Sequence, residues 1–344
     1  MSTMAENEAT SHWADRVARE LTEICPDKDP LVCAAGISPS GRVHIGNFRE
    51  VITVDLVVRA LRDQGKNVRF IYSWDDYDAF RKVPKNLPEP EMLKDNLRRA
   101  ISRVPDPFGK DKSYAAHFER LFEEELVPLG IEPEFIRQNE AYRANKYHEG
   151  ITHALAHEAE IRKILDEYRT QPLPDNWTCI SVFCKECERD STKISSYEPP
   201  TTVKYFCKAC KKDQVVDFSK EPGVKLLWRI DWPMRWNFEK VDFEPGGKDH
   251  SSQGGSYQTG DLICKKLWNR PGPHYQQYDF VMAKGIGGKL SSSTGVLISL
   301  TEALAVYEPS VFRWLFASRK PNLDFSIAFD LDVMKAYDDL TGQK

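Results

Sequence analysis

A short apolar run, a loop of small residues, a long apolar helical pattern and a second apolar run follow one another within residues 31–72. No other feature of the chain restricts its fold as much. Leu31 to Ala35 is continuously apolar, as a strand buried on both faces requires. Gly36 to Gly41 is a loop of Gly, Ser and Pro. From about Asn47 to Gln64 the pattern is helical and apolar on most sides (Val51, Ile52, Val54, Val57, Val58, Leu61), which predicts a buried helix. Gly65 closes it, and Val68 to Tyr72 reads as a second strand. A strand–loop–helix–strand unit of this kind is a parallel βαβ crossover, the building block of a doubly wound α/β sheet. Ligands of such sheets bind beyond the carboxyl ends of the strands. The loop at 36–47 and the acidic run Trp74-Asp75-Asp76-Tyr77-Asp78 both fall there.

The rest of the chain divides around this unit. Residues 1–30 hold one amphipathic helix, Ser11 to Glu23, with Trp13, Val17, Ala18 and Leu21 on one side. Residues 31–83 are the first half of a nucleotide-binding sheet domain. Residues 84–223 read as an insertion, with polar helices such as Ala141 to Tyr168 between proline-rich breaks at 84–90, 105–107 and 171–174. Short strand-like pieces return at Val224 to Trp228, Val241 to Phe243 and Tyr278 to Ala283, which makes 224–296 the second half of the split sheet. Residues 297–344 are mostly helical. With 344 residues, this fits the two or three domains expected at roughly 100–200 residues each.

Composition excludes some classes. No apolar run approaches the roughly 18 residues that read as a membrane helix, so no membrane partner is expected. Met1 to Thr10 is polar and acidic, unlike a signal peptide, and a cytoplasmic setting is expected. The net charge of -4 gives no sign of nucleic-acid binding, which depends on a local basic face instead. Lys204, Lys208, Lys211 and Lys212 form one small basic cluster, and Arg98, Arg99 and Arg103 another. Each alone reads as a solvated face.

Four of the eight cysteines are spaced as Cys184-Lys-Glu-Cys187 and Cys207-Lys-Ala-Cys210. Two such turns, each preceded by a strand-like stretch (Ile180 to Phe183, Thr202 to Phe206), suit a tetrahedral four-thiolate zinc ribbon spanning 177–217. Structural zinc is favoured over disulfides, because a cytosolic setting keeps thiols reduced. It is favoured over catalytic zinc, because four thiolates leave no open position. Cys179 is close enough to be an alternative ligand, whereas Cys25, Cys33 and Cys264 read as core thiols.

Two segments bracket the split sheet. The first is Gly36-Ile37-Ser38-Pro39-Ser40-Gly41-Arg42-Val43-His44-Ile45-Gly46-Asn47, and the second is Lys289-Leu290-Ser291-Ser292-Ser293-Thr294-Gly295. The first resembles the HIGH signature of class I aminoacyl-tRNA synthetases in its HIGN form. The second resembles a degenerate KMSKS loop, at 285–295. Together they point to an ATP site that activates an amino acid. That reaction is an in-line attack by a carboxylate on the α-phosphate of ATP (bound with Mg2+), so the protein must align substrates and stabilise charge. Gly36, Gly41 and Gly46 suit close backbone approach, with Ser40 beside them. His44 and Asn47 sit where a helix begins, and that end favours phosphate. Lys289, with Ser291 and Ser292 in a Gly/Ser loop, would offset charge on the leaving pyrophosphate.

Three further stretches narrow the resemblance. Ser73-Trp74-Asp75-Asp76-Tyr77-Asp78-Ala79-Phe80-Arg81-Lys82-Val83-Pro84 is similar to a stretch of the class I lysyl-tRNA synthetases. Trp228-Arg229-Ile230-Asp231-Trp232-Pro233-Met234-Arg235-Trp236 is similar to that family's WRxDWPxRW segment, and Phe243-Glu244-Pro245-Gly246-Gly247-Lys248-Asp249-His250 to its EPFGKDH segment. The resemblance runs from about Ser11 to Glu302. It implies a Rossmann catalytic domain that makes lysyl-adenylate from L-lysine and ATP and then charges tRNA(Lys), whose acceptor stem it contacts. It places Ser38, Trp228, His250 and Tyr278 in the lysine pocket, where an aromatic wall would pack on the methylene stem. A carboxylate should meet a cationic group of the substrate, and Asp75 or Asp76 is the candidate. Gly247, Lys248 and Asp249 would face the ribose, and Gly254, Gly255 and Ser256 would line the adenine side. Trp232 and Trp236 read as core.

The chain departs from the family in two places. Ser292 and Thr294 stand where a second loop lysine is common, leaving Lys289, with Lys284 as a possible substitute. The family also continues into a helical anticodon-binding domain, whereas this sequence ends at Lys344. It is read either as the catalytic part of the longer enzyme or as a short paralogue serving a non-translational acceptor. A third reading is a non-catalytic zinc-ribbon RNA-binding protein on the same fold.

Overall fold

The computed structural model describes residues 11–284 and 298–342. Five parallel strands form the central sheet: β1 (Leu31–Ile37), β2 (Val68–Trp74), β3 (Glu134–Arg137), β9 (Phe243–Gly247) and β10 (His274–Tyr278). Their order is β10-β9-β1-β2-β3. The expected crossover is present. Helix α2 (Ile45–Asp63) links β1 to β2, and the two strands run in register from Leu31–Val68 to Ile37–Trp74. From β1 the chain winds one way to β2 and β3, and later the other way to β9 and β10. The β1/β9 boundary is therefore a topological switch point, where a crevice opens at the carboxyl edge.

Helix α1 (Trp13–Ile24) packs Trp13, Val17, Ala18 and Leu21 on α2, as its pattern predicts. Helix α2 is buried nearly all round. It carries Phe48, Val51, Ile52, Val54, Val57 and Val58 in the core, each side chain worth roughly 1.5–3 kcal/mol on full burial. Arg49 shares that core at 1% exposure and donates to the carbonyls of Lys320, Pro321 and Leu323, tying the C-terminal region to α2.

The first half of the sheet extends beyond the boundary expected at residue 83. Strand β3 lies within the span read as insertion, yet it pairs in parallel with β2 as an edge of the sheet. Its four residues begin with Glu134 and end with Arg137, so no continuous apolar run marks it. Between β2 and β3 lie α3 (Pro90–Asp95) and α4 (Tyr114–Leu126). The span 141–168 is three short helices, α5 (Gln138–Arg143), α6 (His148–Ala156) and α7 (Glu158–Asp166), broken where Asn145 takes a left-handed φ of 54°.

A small lobe follows. Strand β4 (Ile180–Val182) pairs antiparallel with β8 (Val224–Leu226). Between them β5 (Thr192–Glu198), β6 (Thr202–Cys207) and β7 (Lys212–Asp217) form an antiparallel sheet. Helix α8 (Trp228–Glu239) opens immediately after β8, with α9 (Ser256–Trp268) packed on it. Strand β11 (Val281–Ala283) pairs with β12 (Phe325–Ile327), and α10 (Leu300–Leu304), α11 (Pro309–Ala317) and α12 (Val333–Gly342) complete the described residues. No helix of the described residues is long and apolar enough to cross a membrane.

Candidate active site

The switch-point crevice holds a cavity of about 310 Å³. The end of β1 supplies Gly36, Ile37 and Ser38, and β9 supplies Glu244, Pro245 and Gly246. Helix α2 adds Asn47 and Glu50, the end of β2 adds Ser73 and Asp75, and α8 adds Trp228, Trp232 and Arg235. His250 and Tyr278 complete the lining. The four residues placed in the lysine pocket by resemblance therefore share one cavity, as do Gly36, Asn47 and Asp75.

The HIGN segment forms the start of α2. His44 is the N-cap, and its Nδ1 accepts from Gly46 N at 3.0 Å. A ring nitrogen that accepts carries no proton, so the imidazole is neutral with its hydrogen on Nε2. Asn47 Oδ1 accepts in return from His44 N at 3.4 Å, a reciprocal box. Gly46 is required by the ring above it, since a Cβ there would lie 2.9 Å from His44 Nδ1. Gly36 is required by strand packing, since its Cβ would lie 2.7 Å from Ser73 O.

Three carboxylates face the cavity. Glu50 accepts from Gly36 N at 2.9 Å and from Tyr278 Oη at 2.6 Å. Burial pushes its carboxyl up to about 7 despite both donors. Glu244 takes the indole N–H of Trp232 at 3.0 Å and of Trp236 at 2.6 Å, and burial raises it to about 7 as well. Asp75 is raised by burial, against the pull of Arg235, which donates to it at 2.8 Å. Arg235 also faces Asp231 at 3.1 Å and donates to Ser73 Oγ at 2.8 Å. Sequence reasoning missed Glu50, Glu244 and Arg235. The available signal was a charged residue inside an otherwise apolar buried pattern, which is rare unless paired.

The WRxDWPxRW segment is explained by α8. Its tryptophans are four apart and line one face, Trp228 stacked on Trp232 with ring centroids 5.2 Å apart and Trp236 tilted against Trp232 at 4.6 Å. His250 extends this wall 5.4 Å from Trp228. Trp236 is core as expected. Trp232 is buried too, yet it also lines the cavity, because its turn of the helix faces the crevice.

The other candidates lie apart from this cavity. Asp76 lines neither it nor its neighbour; its Oδ1 accepts from Asn139 N at 2.7 Å, and burial raises it to about 8. Ser40 lines a second cavity of about 530 Å³, which adjoins the first through Ser38, Trp228 and His250. Gly41 lies in the loop, 4.0 Å from Tyr114 Oη when given a Cβ. Gly247 ends β9 and Asp249 sits in the turn after it. Gly254 has a left-handed φ of 68° and packs on Tyr168, where a Cβ would approach to 2.5 Å. A Cβ on Gly255 would lie 2.5 Å from His250 O. Ser256 bonds His250 Nδ1 at 2.8 Å, orienting that ring. Lys289, Ser291 and Ser292 lie outside the described residues. Lys284 is committed to an ion pair with Asp332.

In the small lobe, Cys184, Cys187, Cys207 and Cys210 place their sulfurs within 4.8 Å of one another. Cys184–Cys210 and Cys187–Cys207 are 3.8 and 3.7 Å apart. A tetrahedron with metal–sulfur bonds of about 2.3 Å has edges of about 3.8 Å, so these four residues fit a single metal ion. Cys179 is not in the cluster; it is buried beside Glu158.

Comparison with known proteins agrees with this geometry. A family model described as tRNA synthetases class I (K) matches residues 11–344. The chain is similar to the lysine–tRNA ligase of Borreliella burgdorferi, 54% identical over 96% of this chain and 63% of that protein. It is 48% identical to the lysine–tRNA ligase of Treponema pallidum over 96% of this chain and 63% of that protein. For that of Thermococcus kodakarensis the identity is 46%, over 95% of this chain and 62% of that protein. The chain thus spans less than two thirds of the length of these relatives. Among solved structures, methionyl-tRNA synthetase of Mycobacterium tuberculosis bound by methionyl-adenylate superposes with a TM-score of 0.52, covering 92% of this chain and 70% of that one at 13% identity, a likeness of fold. On the match across residues 11–344 and these identities, the chain belongs to the class I (K) tRNA synthetase family.

Proposed function

We propose that this chain activates L-lysine with ATP and Mg2+ to lysyl-adenylate and pyrophosphate, and passes the lysine to the 3′ end of tRNA(Lys). The observation that carries this reading is the acidic, aromatic-walled cavity beside the start of α2. Glu50 and Asp75 offer charge to the two ammonium groups of a lysine, and Trp228 and His250 offer ring faces to its stem. On this reading the substrate carboxylate lies toward Asn47, which lines the cavity, and toward His44 at the same helix start. His44, donating from Nε2, and Asn47 act on the α-phosphate, where charge grows as the new bond forms. Lys289 takes the charge of the leaving pyrophosphate. The Cys184–Cys187–Cys207–Cys210 cluster holds structural zinc, which ties the two cysteine turns of the small lobe together.

The test is amino-acid-dependent ATP–pyrophosphate exchange across all twenty amino acids. Exchange with lysine alone supports the reading. Exchange with another amino acid replaces it with a repurposed paralogue, and exchange with none favours a non-catalytic RNA-binding role.

A further inference from the structure

Lys225 is a buried cation on the strand that returns from the small lobe. It lies in the middle of β8, paired with Ser181 of β4, and is 5% exposed. Lysines are almost never buried unless paired. Its ammonium forms an ion pair with Asp78 Oδ1, just past the end of β2, and lies 5.8 Å from the ring centroid of Tyr142. Burial opposes its charge, yet Asp78, Asp231 and Asp75 hold its basicity above the ordinary value. The second oxygen of Asp78, Oδ2, accepts the hydroxyl of Ser38 at 2.9 Å. Burial would raise the Asp78 carboxyl, but Lys225 and Ser38 hold it below the usual carboxylate range. Asp78 is therefore ionised, and an ionised carboxylate only accepts.

This fixes the polarity of Ser38. A serine hydroxyl has one hydrogen and two lone pairs, and it turns to suit its partners. Ser38 gives its hydrogen to Asp78, so to any other partner it offers lone pairs alone. Ser38 lines both the 310 Å³ and the 530 Å³ cavity, whereas Asp78 and Lys225 line the second and not the first. A ligand in the first cavity thus meets an oxygen that accepts and does not donate. Such an oxygen suits the N–H of an ammonium and disfavours a carboxylate oxygen. Without Lys225, burial favours the protonated Asp78 carboxyl, which donates instead. The Ser38 hydrogen would then be free to turn into the cavity.

We infer that Asp78 and Lys225 are positioning residues that lock the Ser38 hydroxyl as a hydrogen-bond acceptor for an ammonium group of the amino-acid substrate. This rests on the proposed activation of lysine and adds what sets the polarity of its pocket. Neither residue touches the substrate: Lys225 acts through Asp78, and Asp78 through Ser38. Glu50 and Asp75 supply the negative charge of the pocket, and Ser38 supplies a directed contact within it.

The test is calorimetric binding of L-lysine, together with pyrophosphate-exchange kinetics, in S38A, K225M, D78L/K225M and S38A/D78L/K225M. S38A removes the acceptor and should weaken lysine binding about tenfold, as expected for a hydrogen bond to a charged group. K225M and D78L/K225M should each weaken it about tenfold too, with the ATP KM unchanged within about twofold. The triple variant should bind lysine as S38A does, within about twofold, because the pair acts only through that hydroxyl. D78L/K225M leaves no unpaired charge of the pair behind, so it should melt close to the unmodified chain even where K225M does not fold. A loss of lysine affinity in a protein of unchanged melting temperature separates positioning from folding. Normal lysine binding by folded K225M or by D78L/K225M, losses that add in the triple variant, or an equal rise in the ATP KM overturns the inference. Lysine binding without exchange in the unmodified chain counts against the proposed reaction alone, since calorimetry still reads the Ser38 contact. Absence of lysine binding in the unmodified chain overturns both.

Discussion

The phenol of Tyr278 donates to Glu50 Oε2 at 2.6 Å, while the backbone N–H of Gly36 occupies Oε1 at 2.9 Å. A carboxylate held this way has its geometry set before any ligand arrives. Glu50→Gln removes the charge and keeps the shape. It should raise the lysine KM in pyrophosphate exchange at least 100-fold with little change in the ATP KM. Tyr278→Phe, which leaves Glu50 charged but less fixed, should cost about 1 kcal/mol, or roughly fivefold. An equal rise in both KM values for Glu50→Gln would remove Glu50 from amine recognition.

Glu50 and Glu244 both titrate near 7 in the folded chain, against an ordinary 4.5. Between those values the folded state holds more protons than the unfolded one. Each group therefore contributes stability that is present below 4.5 and lost as pH rises through 7. Binding a cationic amino acid has the opposite sign, because it needs the ionised form. The rise in melting temperature produced by saturating lysine should thus be larger at pH 8 than at pH 6, while the unliganded protein melts lower at pH 8. Calorimetry at both values decides this. A lysine effect independent of pH would show that neither carboxyl meets the substrate.

Arg235 sits between Asp75 and Asp231 with almost no solvent contact. Burial lowers its basicity, but the two carboxylates overcome that and raise it. Arg235→Met would leave two buried carboxylates without their cation. The expected loss is about 3–5 kcal/mol of stability, read from denaturant unfolding. A loss below 1 kcal/mol would mean that water reaches the network.

The sequence was most legible where physical demands were continuous. The apolar runs of β1 and β2 and the buried helix between them needed no partner to be recognised, and Leu31–Ile37 pairs with Val68–Trp74 in full register. Strand β3 was illegible because four residues at a sheet edge carry charged ends, and only β2 makes them a strand. In the site, the residues that the family resemblance assigned to the lysine pocket, Ser38, Trp228, His250 and Tyr278, meet in one cavity. Glu50 escaped notice because its helix reads as apolar core. Its role appears only when Tyr278, distant in sequence, arrives beside it. Asp75 and Asp76 could not be separated by sequence, since adjacent residues at a strand end point to opposite sides, and only Asp75 lines the cavity.

The four clustered thiols have sulfur spacings that suit a tetrahedral ion. Purified protein should hold one zinc per chain by elemental analysis. Chelation should speed amide exchange across β5, β6 and β7 while α2 stays protected, because the four thiols cross-link only the turns of the small lobe. Absence of metal, or uniform deprotection of α2, would contradict a structural zinc.

In the proposed reaction His44 would have two roles that can be separated. As N-cap it accepts from Gly46 N, and replacing a capping side chain by Ala costs about 1 kcal/mol of stability. In the proposed role it donates from Nε2 to the α-phosphate, a contact that would strengthen as charge develops, so losing it should act on the chemical step. His44→Asn keeps a capping oxygen but cannot reach as far. It should melt close to the unmodified protein while slowing adenylate formation 10²–10³-fold, the usual loss when one such donor is removed. Gly46→Ala tests the same geometry from the other side. Its Cβ would lie 2.9 Å from the His44 ring, which must then swing out of its cap. Both variants should lower kcat for exchange more than they raise the lysine KM. If His44→Asn keeps normal exchange, the ring serves only the helix, and the chemistry belongs to other residues of the crevice.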